Sequence, residues 1–274
     1  MQDSNSTGLE ALAGALPPSV RIALHGADDV LLVTLARPQK RNALDDVTVR
    51  GLGAVFEALP PSVRVVVLEG EGAHFSAGLD LSELVSQDLA GGIAHSRMWH
   101  RVFENIQFGT VPVIAVLKGA VVGGGLELAC TAHLRVAEDS AFYALPEGER
   151  GIFVGGGGSV RLPQLIGVAR MTDMMLTGRV HDAQAGHGMG ISHYLVESGR
   201  GLEKALELAG KVCANAPLTN FAVMHALPRI AQSDPAAGYL TESLMSAIAQ
   251  SDEEAKDRIR DFLAKRAGKV SVPR

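Results

Sequence analysis

Two glutamates in the middle of the chain have the residue type and the setting of a catalytic acid–base pair. Glu127 lies two residues after a glycine run, in the expected first turn of a helix, and Glu147 follows an expected short strand further along the chain. If two carboxylates face each other in an apolar pocket, repulsion and desolvation raise the pKa of at least one of them. One group can then accept a proton while the other donates one near neutral pH.

Each glutamate also has a purely structural interpretation. Glu127 could simply complement the positive end of its helix. Glu147 follows Pro146 and could be an exposed turn residue, in which case Glu149 is equally eligible as the second carboxylate. The assignment of a pair therefore depends on what surrounds the two side chains.

The glycine run at residues 123–125 supplies hydrogen-bond donors for a negatively charged oxygen. Residues 112–117 before it are continuously apolar and rich in β-branched side chains, which is typical of a strand buried on both faces. Residues 126–130 begin a helix, so the glycine N–H groups lie near its positive end. Adding water to a carbon–carbon double bond conjugated to a carbonyl needs a base, an acid and donors for the enolate oxygen. Two carboxylates and two backbone amides are sufficient.

Other catalytic motifs are missing from the sequence. Neither glycine cluster, at 123–125 or 155–158, forms G-x-G-x-x-G or precedes Lys-Ser/Thr, so nucleotide-binding loops have no support. Ser76 is not in a G-x-S-x-G elbow, because His74 occupies the position of the first glycine. The nine histidines never form H-E-x-x-H. We expect neither a metal nor a bound cofactor.

Composition limits the class of protein. The 274 residues are 47% hydrophobic with a net charge of −5, and no basic stretch is interleaved with aromatic residues, which argues against a nucleic-acid partner. No signal peptide or membrane-spanning stretch is expected. The two cysteines, Cys130 and Cys213, cannot form a disulfide framework and fit a reducing compartment. These features predict a cytoplasmic protein.

The order of expected elements indicates a mixed α/β fold. Residues 1–18 are expected to be a flexible leader with at most a short helix. Strands at 20–24 and 30–35 predict a hairpin, and Asp45 or Asp46 can cap the helix that follows a basic loop. Strand, loop and helix recur three times before residue 135. A helical stretch over 81–108 is expected to break near residues 91–92, and residues 169–266 are mostly helical.

Four motifs, in this order, resemble the crotonase, or enoyl-coenzyme A hydratase/isomerase, superfamily. They are R-P and N-A-L within 37–44, F-S-A-G-L-D-L at 75–81, P-V-I-A through G-G-G-L-E-L-A within 112–129, and P-E with a later Gly within 146–151. The resemblance covers roughly residues 20–266. It implies a core of stacked ββα turns at 19–200 and a C-terminal helical region at 201–274 used in trimerisation, commonly in a dimer of trimers.

The resemblance also implies an acyl-CoA thioester as the substrate, with CoA as part of the substrate and not a cofactor. The backbone N–H groups of Leu79 and Gly124 would hold the thioester oxygen. Glu127 would activate water, and Glu147 would give a proton to the α-carbon. Residues matching CoA-binding segments are Arg37, Arg41, Ala77, Asp80, Lys265 and Arg266. Acyl-pocket candidates lie within 84–103 and include Met98 and Trp99.

Departures from the family pattern leave the substrate and the reaction open. Leu79 stands where many hydratases have Ala, which narrows the pocket and is similar to isomerase members. Residues 145–155 resemble a branch acting on methylthioacryloyl-CoA. We expect an enoyl-CoA hydratase of acyl-CoA or fatty-acid metabolism. An isomerase or a thioester hydrolase on the same scaffold is the alternative. A noncatalytic CoA- or RNA-binding relative is disfavoured by both glutamates and by the acidic balance.

Overall fold

Buried β-branched strands form the main sheet of the computed structural model, which describes residues 2–27, 29–83, 88–264 and 266. This sheet has six strands in the order β1-β2-β3-β4-β6-β9, and a smaller sheet has the order β5-β7-β8. β1 and β2 pair as the expected antiparallel hairpin, and the other neighbours in the main sheet are parallel. The strands are β1 Val20–His25, β2 Val30–Leu35, β3 Val65–Gly70, β4 Val113–Leu117, β5 Ala120–Val122, β6 Leu134–Glu138, β7 Phe142–Ala144, β8 His181–Asp182 and β9 Tyr194–Val196.

Helices follow the strands and continue to the end of the described chain. Short 3₁₀ segments occupy Pro38–Lys40, Leu81–Glu83 and Gly148–Arg150, and a π-helical turn occupies Ala222–Ala226. The α-helices are α1 Gln2–Ala15, α2 Asp46–Glu57, α3 Leu89–Gln107, α4 Gly124–Ala129, α5 Gly158–Ile166, α6 Val168–Thr177, α7 Ala183–Met189, α8 Gly201–Cys213, α9 Pro217–Phe221, α10 Leu227–Ile230, α11 Pro235–Ser251 and α12 Glu253–Leu263.

From β4 to β7, successive strands alternate between the two sheets. β4 belongs to the main sheet and β5 to the smaller one before α4, and β6 and β7 repeat this alternation one layer further on. The loop residue Ser76 adds a bridge to Val121 and so extends the smaller sheet toward the preceding turn. All five residues of β4 are buried, as the apolar run predicts. The expected architecture of stacked ββα turns is confirmed.

The chain divides into two compact units, Met1–Val212 and Cys213–Arg274. The first holds both sheets and the hydrophobic core. The second is helical, as expected for the C-terminal region. Its last two long helices expose a series of large apolar side chains, namely Tyr239, Leu240, Leu244, Ile248, Ile259, Phe262 and Leu263.

Two local expectations differ from the structure. The segment expected to be a flexible leader contains α1, which is longer than a short helix. The break expected near residues 91–92 is wrong, because α3 runs through both glycines. Asp88 caps this helix and accepts the N–H of Gly91, so the glycines lie in the first turn, where a side chain supplies the missing acceptor.

The loop after β2 is tied to the loop after β3 by one buried side chain, Asn42. Its Nδ2 donates to the carbonyl oxygens of Glu71 and His74 at 3.0 and 2.8 Å. Its Oδ1 accepts the N–H of Arg37 at 2.9 Å. Asn42 has a φ of 55°, in the left-handed region that Asn tolerates better than most residues. These three bonds fix the loops that lead to residues 76–80.

We expect Asn42→Ala to lower the free energy of unfolding by about 2–4 kcal/mol. The substitution leaves buried backbone groups unpaired and places Ala at a positive φ. The measurement is urea unfolding. Asn105→Ala is the matched control, since its exposed amide makes only a 3.4 Å contact with Glu57, and we expect a change within about 0.5 kcal/mol. Equal losses in the two variants would contradict the structural role of Asn42.

Candidate active site

Each glycine of the run at the start of α4 allows a different group to approach the backbone. A Cβ on Gly123 would lie 2.6 Å from Oε1 of Glu147, and Gly123 has a φ of 52°. A Cβ on Gly124 would lie 3.0 Å from the ring of Trp99, and one on Gly125 would lie 2.5 Å from the carbonyl oxygen of Ser76. Side chains at these positions would push away a carboxylate, an aromatic wall and the loop of residues 76–80.

Two backbone N–H groups come together beside these glycines. In the bridge between Leu44 and Leu79, the bonds run from Leu44 N–H to Gly78 O and from Asp80 N–H to Leu44 O, each 2.8 Å long. Successive N–H groups of an extended segment point to opposite sides, so the N–H of Leu79 points away from Leu44. A Cβ on Gly124 would lie 3.2 Å from the nitrogen of Leu79.

Gly124 is the first residue of α4, where an N–H has no acceptor within the helix. Both Gly124 and Leu79 line the same pocket. The structure therefore brings together the two donors that the sequence predicted for a thioester oxygen. Their binding role stays a prediction.

Glu127 is buried, with 4% of its surface exposed, and its carboxylate is held by the second glycine run. Oε1 accepts the N–H groups of Gly156 and Gly158 at 2.8 and 2.7 Å. Burial raises the pKa of Glu127, while these N–H donors and the nearby charge of Arg161 act in the opposite direction. The donors to this carboxylate were not identified from the sequence, because any residue type can supply a backbone N–H.

Arg161 holds the loop that donates to Glu127. Its guanidinium Nη1 donates to the carbonyl oxygen of Gly156 at 3.0 Å, and Nε donates to Oε1 of Gln107 at 2.6 Å. A Cβ on Gly158 would lie 2.6 Å from Cγ of Glu127, so this glycine is needed for the close approach.

Glu147 is also buried, with 6% of its surface exposed, but its carboxylate differs from that of Glu127 in its hydrogen-bond partners. Its Oε2 is sealed from solvent and has no hydrogen-bond partner among the residues that the structure describes. Burial and, to a smaller extent, the negative charge of Glu127 raise the pKa of Glu147 to about 7, while a backbone hydrogen bond and the charge of Arg150 act in the opposite direction. The exposed-turn interpretation of Glu147 is wrong, and Glu149 is exposed and does not line the pocket.

A pocket of about 330 Å³ joins these groups. Of the predicted site residues, it is lined by Ala77, Leu79, Trp99, Gly124, Glu127 and Glu147. Three further lining residues fall within the predicted acyl-pocket range 84–103, namely Gly92, His95 and Ser96, and Gly123 belongs to the first glycine run. The remaining lining residues were not assigned to the site from the sequence, namely Leu81, Arg150, Ile152, Phe153, Val154, Gly155 and Gly156. The helical period could have identified His95, which stands one turn before Trp99 on α3.

Met98 does not line this pocket. It lies beside a separate groove between α2 and α3, together with Arg50, Arg101 and Val102. Neighbouring residues of a helix point about 100° apart, so Met98 and Trp99 cannot both face one narrow cavity. The expectation for Met98 as an acyl-pocket residue is corrected on this ground.

The basic loop near Arg37 is tied by internal ion pairs. Arg37 contacts Asp45 at 2.9 Å and Asp80 at 3.1 Å, and Lys40 contacts Asp80 at 2.8 Å. The bonds from Lys40, Ser82 and Arg37 hold the pKa of Asp80 well below its usual range. Asp80 therefore stays ionised and is neutralised by the cations predicted to meet CoA.

The other residues predicted to bind CoA have different settings. Arg41 is exposed at a φ of 51°, and its carbonyl oxygen accepts the N–H of Ala77. Arg266 pairs with Asp261 at 2.6 Å inside the second unit. Lys265 lies outside the described residues. No contact with CoA is tested for any of these residues.

No group of three or more His, Cys, Asp or Glu side chains that could hold a metal ion occurs within the described ranges. None of the described helices has the length and apolar character needed to cross a membrane.

Comparison with known proteins identifies the family. Residues 26–270 match the family model described as enoyl-CoA hydratase/isomerase. The 2,3-dehydroadipyl-CoA hydratase of Escherichia coli strain K12 is 34% identical over 86% of this chain and 93% of its own length. The short-chain-enoyl-CoA hydratase of Clostridium acetobutylicum is 30% identical over 89% of this chain and 95% of its own length.

A solved structure agrees with this result. The crystal structure of a candidate enoyl-CoA hydratase from Rhodopseudomonas palustris CGA009 is 60% identical and superimposes with a TM-score of 0.88 over 92% of this chain and 97% of that one. The family model covers most of the chain, and both relatives are matched over nearly their whole length. The chain therefore belongs to the enoyl-CoA hydratase/isomerase, or crotonase, family.

Proposed function

We propose that this protein is a hydratase that adds water across the 2,3 double bond of an enoyl-CoA thioester. The observation that carries the proposal is the difference between its two buried carboxylates. Glu127 accepts two backbone N–H bonds, whereas one oxygen of Glu147 has no partner among the described residues. Both line one pocket with the N–H groups of Leu79 and Gly124. Full-length relatives that carry hydratase names support the same reaction.

In this reaction the thioester oxygen accepts the N–H groups of Leu79 and Gly124. These donors are fixed by the fold before the substrate arrives, so they stabilise the enolate oxygen without reorganising. Negative charge develops on that oxygen when water attacks the β-carbon. The donors consequently lower the barrier more than they strengthen ground-state binding.

The two glutamates share one proton at the start of the cycle. Hydrogen bonds to the charged form favour an ionised carboxylate, so Glu127 is the base that takes a proton from water as its oxygen bonds to the β-carbon. The unpaired oxygen of Glu147 favours the protonated form, and this proton is transferred to the α-carbon. Afterwards Glu127 carries the proton and Glu147 is ionised, and exchange restores the starting state. Water has been added, and the enzyme is unchanged.

We also propose that the protein works as a homotrimer or a dimer of trimers in the cytoplasm. The large apolar side chains exposed on α11 and α12 support association, because burying them against another subunit would remove apolar surface from water. Cys130 and Cys213 are both buried, and the small number of cysteines supports a reducing compartment.

We expect Glu127→Gln and Glu147→Gln each to lower kcat for crotonyl-CoA hydration by about 10²- to 10⁴-fold. Each amide keeps the shape of the side chain and removes one proton-transfer role. The measurement is loss of the conjugated absorbance, with product mass as the second readout. Added water indicates hydration, an unchanged mass indicates isomerisation, and free CoA indicates hydrolysis.

Glu149→Gln is the matched control, because Glu149 is an exposed carboxylate near Glu147 in sequence and lies outside the pocket. It should keep its rate within about twofold. If the Glu127 and Glu147 variants fold normally and hydrate crotonyl-CoA at the rate of the unmodified protein, the proposed function is wrong.

We expect kcat/KM for hydration to fall as pH rises through about 7. The pKa of Glu147 is raised to about 7, so the group is protonated below this pH and loses the transferred proton above it. Because the pair is coupled, the midpoint belongs to both glutamates. The measurement is initial rate at low substrate concentration from below to above neutrality. A kcat/KM that is constant or increases across this range would contradict the role of Glu147 as the acid.

A further inference from the structure

The side of the pocket formed by α3 and Arg150 carries polar side chains that an alkyl chain could not hydrogen-bond. Trp99 and the segment of residues 152–154 supply apolar walls. Between them the pocket is also lined by His95 and Ser96 of α3 and by Arg150, which follows Glu147 in the chain. Ser96 is already satisfied, because its hydroxyl donates to the carbonyl oxygen of Gly155 at 2.6 Å. His95 and Arg150 are therefore the two groups available to a polar substrate.

His95 contacts Asp46, the first residue of α2. Its Nε2 lies 2.9 Å from Oδ1 of Asp46, and the same oxygen lies 3.4 Å from Nε1 of Trp99. Nε2 has no hydrogen-bond partner among the described residues, so its approach to Asp46 is a close polar contact without hydrogen-bond geometry. The imidazole also packs against Trp99, with ring centroids 5.6 Å apart.

This arrangement determines how the imidazole meets a ligand. A carboxylate can only accept, so Asp46 favours a proton on Nε2. The side chain of His95 lines the pocket, and Nδ1 is the ring nitrogen that is not in contact with Asp46. In the protonated ring Nδ1 is a donor, so a ligand carboxylate would place the imidazolium between two anions. Arg150 adds a second positive charge to the same pocket.

The position of His95 along α3 specifies which part of a substrate it can reach. The ring of Trp99 packs against Gly124, one of the two proposed donors to the thioester oxygen, so Trp99 lies beside the reacting carbons. His95 is four residues earlier on the same helix, which is about 6 Å along its axis. It therefore lines the pocket about one helical turn away from Trp99, and Gly92 and Leu81 line the same pocket.

We propose that His95 selects enoyl-CoA substrates whose acyl chain ends in a carboxylate. This inference rests on the proposed hydratase function and names the substrate class of the same site. The carboxylate would accept from Nδ1 of His95, with Asp46 behind the ring and Arg150 contributing positive charge. A charged hydrogen bond made by the correct substrate and lost by its alkyl analogue is a strong source of selectivity.

A purely structural role for His95 is the competing explanation. The contact with Asp46 joins α3 to α2, and loss of this contact would weaken hydration of every acyl chain equally. The selectivity between two substrates separates the explanations, because a general disturbance of the pocket lowers both rates and leaves their ratio unchanged.

The experiment compares hex-2-enoyl-CoA with the same chain carrying a terminal carboxylate, using the full chain. For the unmodified protein we expect kcat/KM to favour the carboxylated substrate by about tenfold or more, as one charged hydrogen bond allows. His95→Gln should lower this ratio by about tenfold. His100→Gln is the matched control, since His100 lies on α3 outside the pocket, and its ratio should not change. Thermal unfolding establishes that both variants fold.

The outcomes distinguish the two proposals. If the plain chain is hydrated at least as well as the carboxylated one, the selectivity proposal is overturned and the hydratase function stands. The same holds if His95→Gln lowers both rates by the same factor. If folded protein hydrates neither substrate, both proposals fail. Asp46→Asn supplies a second test, because it removes the anion behind the ring and should lower the ratio in the same direction.

Discussion

The buried carboxylate of Glu127 is the constraint on which the site depends. A carboxylate removed from water is very costly unless hydrogen bonds replace its hydration. Here the N–H groups of Gly156 and Gly158 supply those bonds, and Arg161 holds the loop that presents them. Glu127 lies on α4, whereas its donors lie just before α5 and at its first residue. The strands β6 and β7 separate α4 from α5 in the chain. The start of α5 must therefore pack against α4 before the carboxylate of Glu127 can be buried as an anion.

The first glycine run, residues 123–125, is required because other parts of the site approach its backbone closely. Gly123 faces the carboxylate of Glu147, Gly124 faces Trp99, and Gly125 faces the loop that ends at Asp80. The loop is in turn positioned by Asn42 and by the ion pairs of Arg37. Side-chain contacts far from the reacting atoms thus determine the distance between two backbone N–H groups. Loops can position reacting groups this closely when a rigid scaffold fixes their ends.

Much of this arrangement could be predicted from the sequence, and the failures have physical reasons. The apolar run before the glycines predicted a buried strand, and the motif order predicted the stacked turns. The sequence could not show that residues 155–158 bind Glu127, because backbone donors leave no signature in residue type. The range 84–103 was too broad to separate Met98 from Trp99, because adjacent residues of a helix point about 100° apart and only Trp99 lines the pocket. The ion pairs of Arg37 could not be predicted, because its partners Asp45 and Asp80 come together only in the fold.

The unpaired oxygen of Glu147 has a consequence for the resting protein as well as for catalysis. Its folded pKa of about 7 exceeds the ordinary value of 4.5, so the native state binds this proton more tightly than the unfolded chain does. The resulting contribution to stability is complete below about pH 4.5 and is lost as pH rises toward 7. Above that range, folding must bury an ionised group with too few partners. The side chain that supplies the transferred proton therefore lowers the free energy of unfolding when it is ionised. Such a loss of stability is common at residues that serve function.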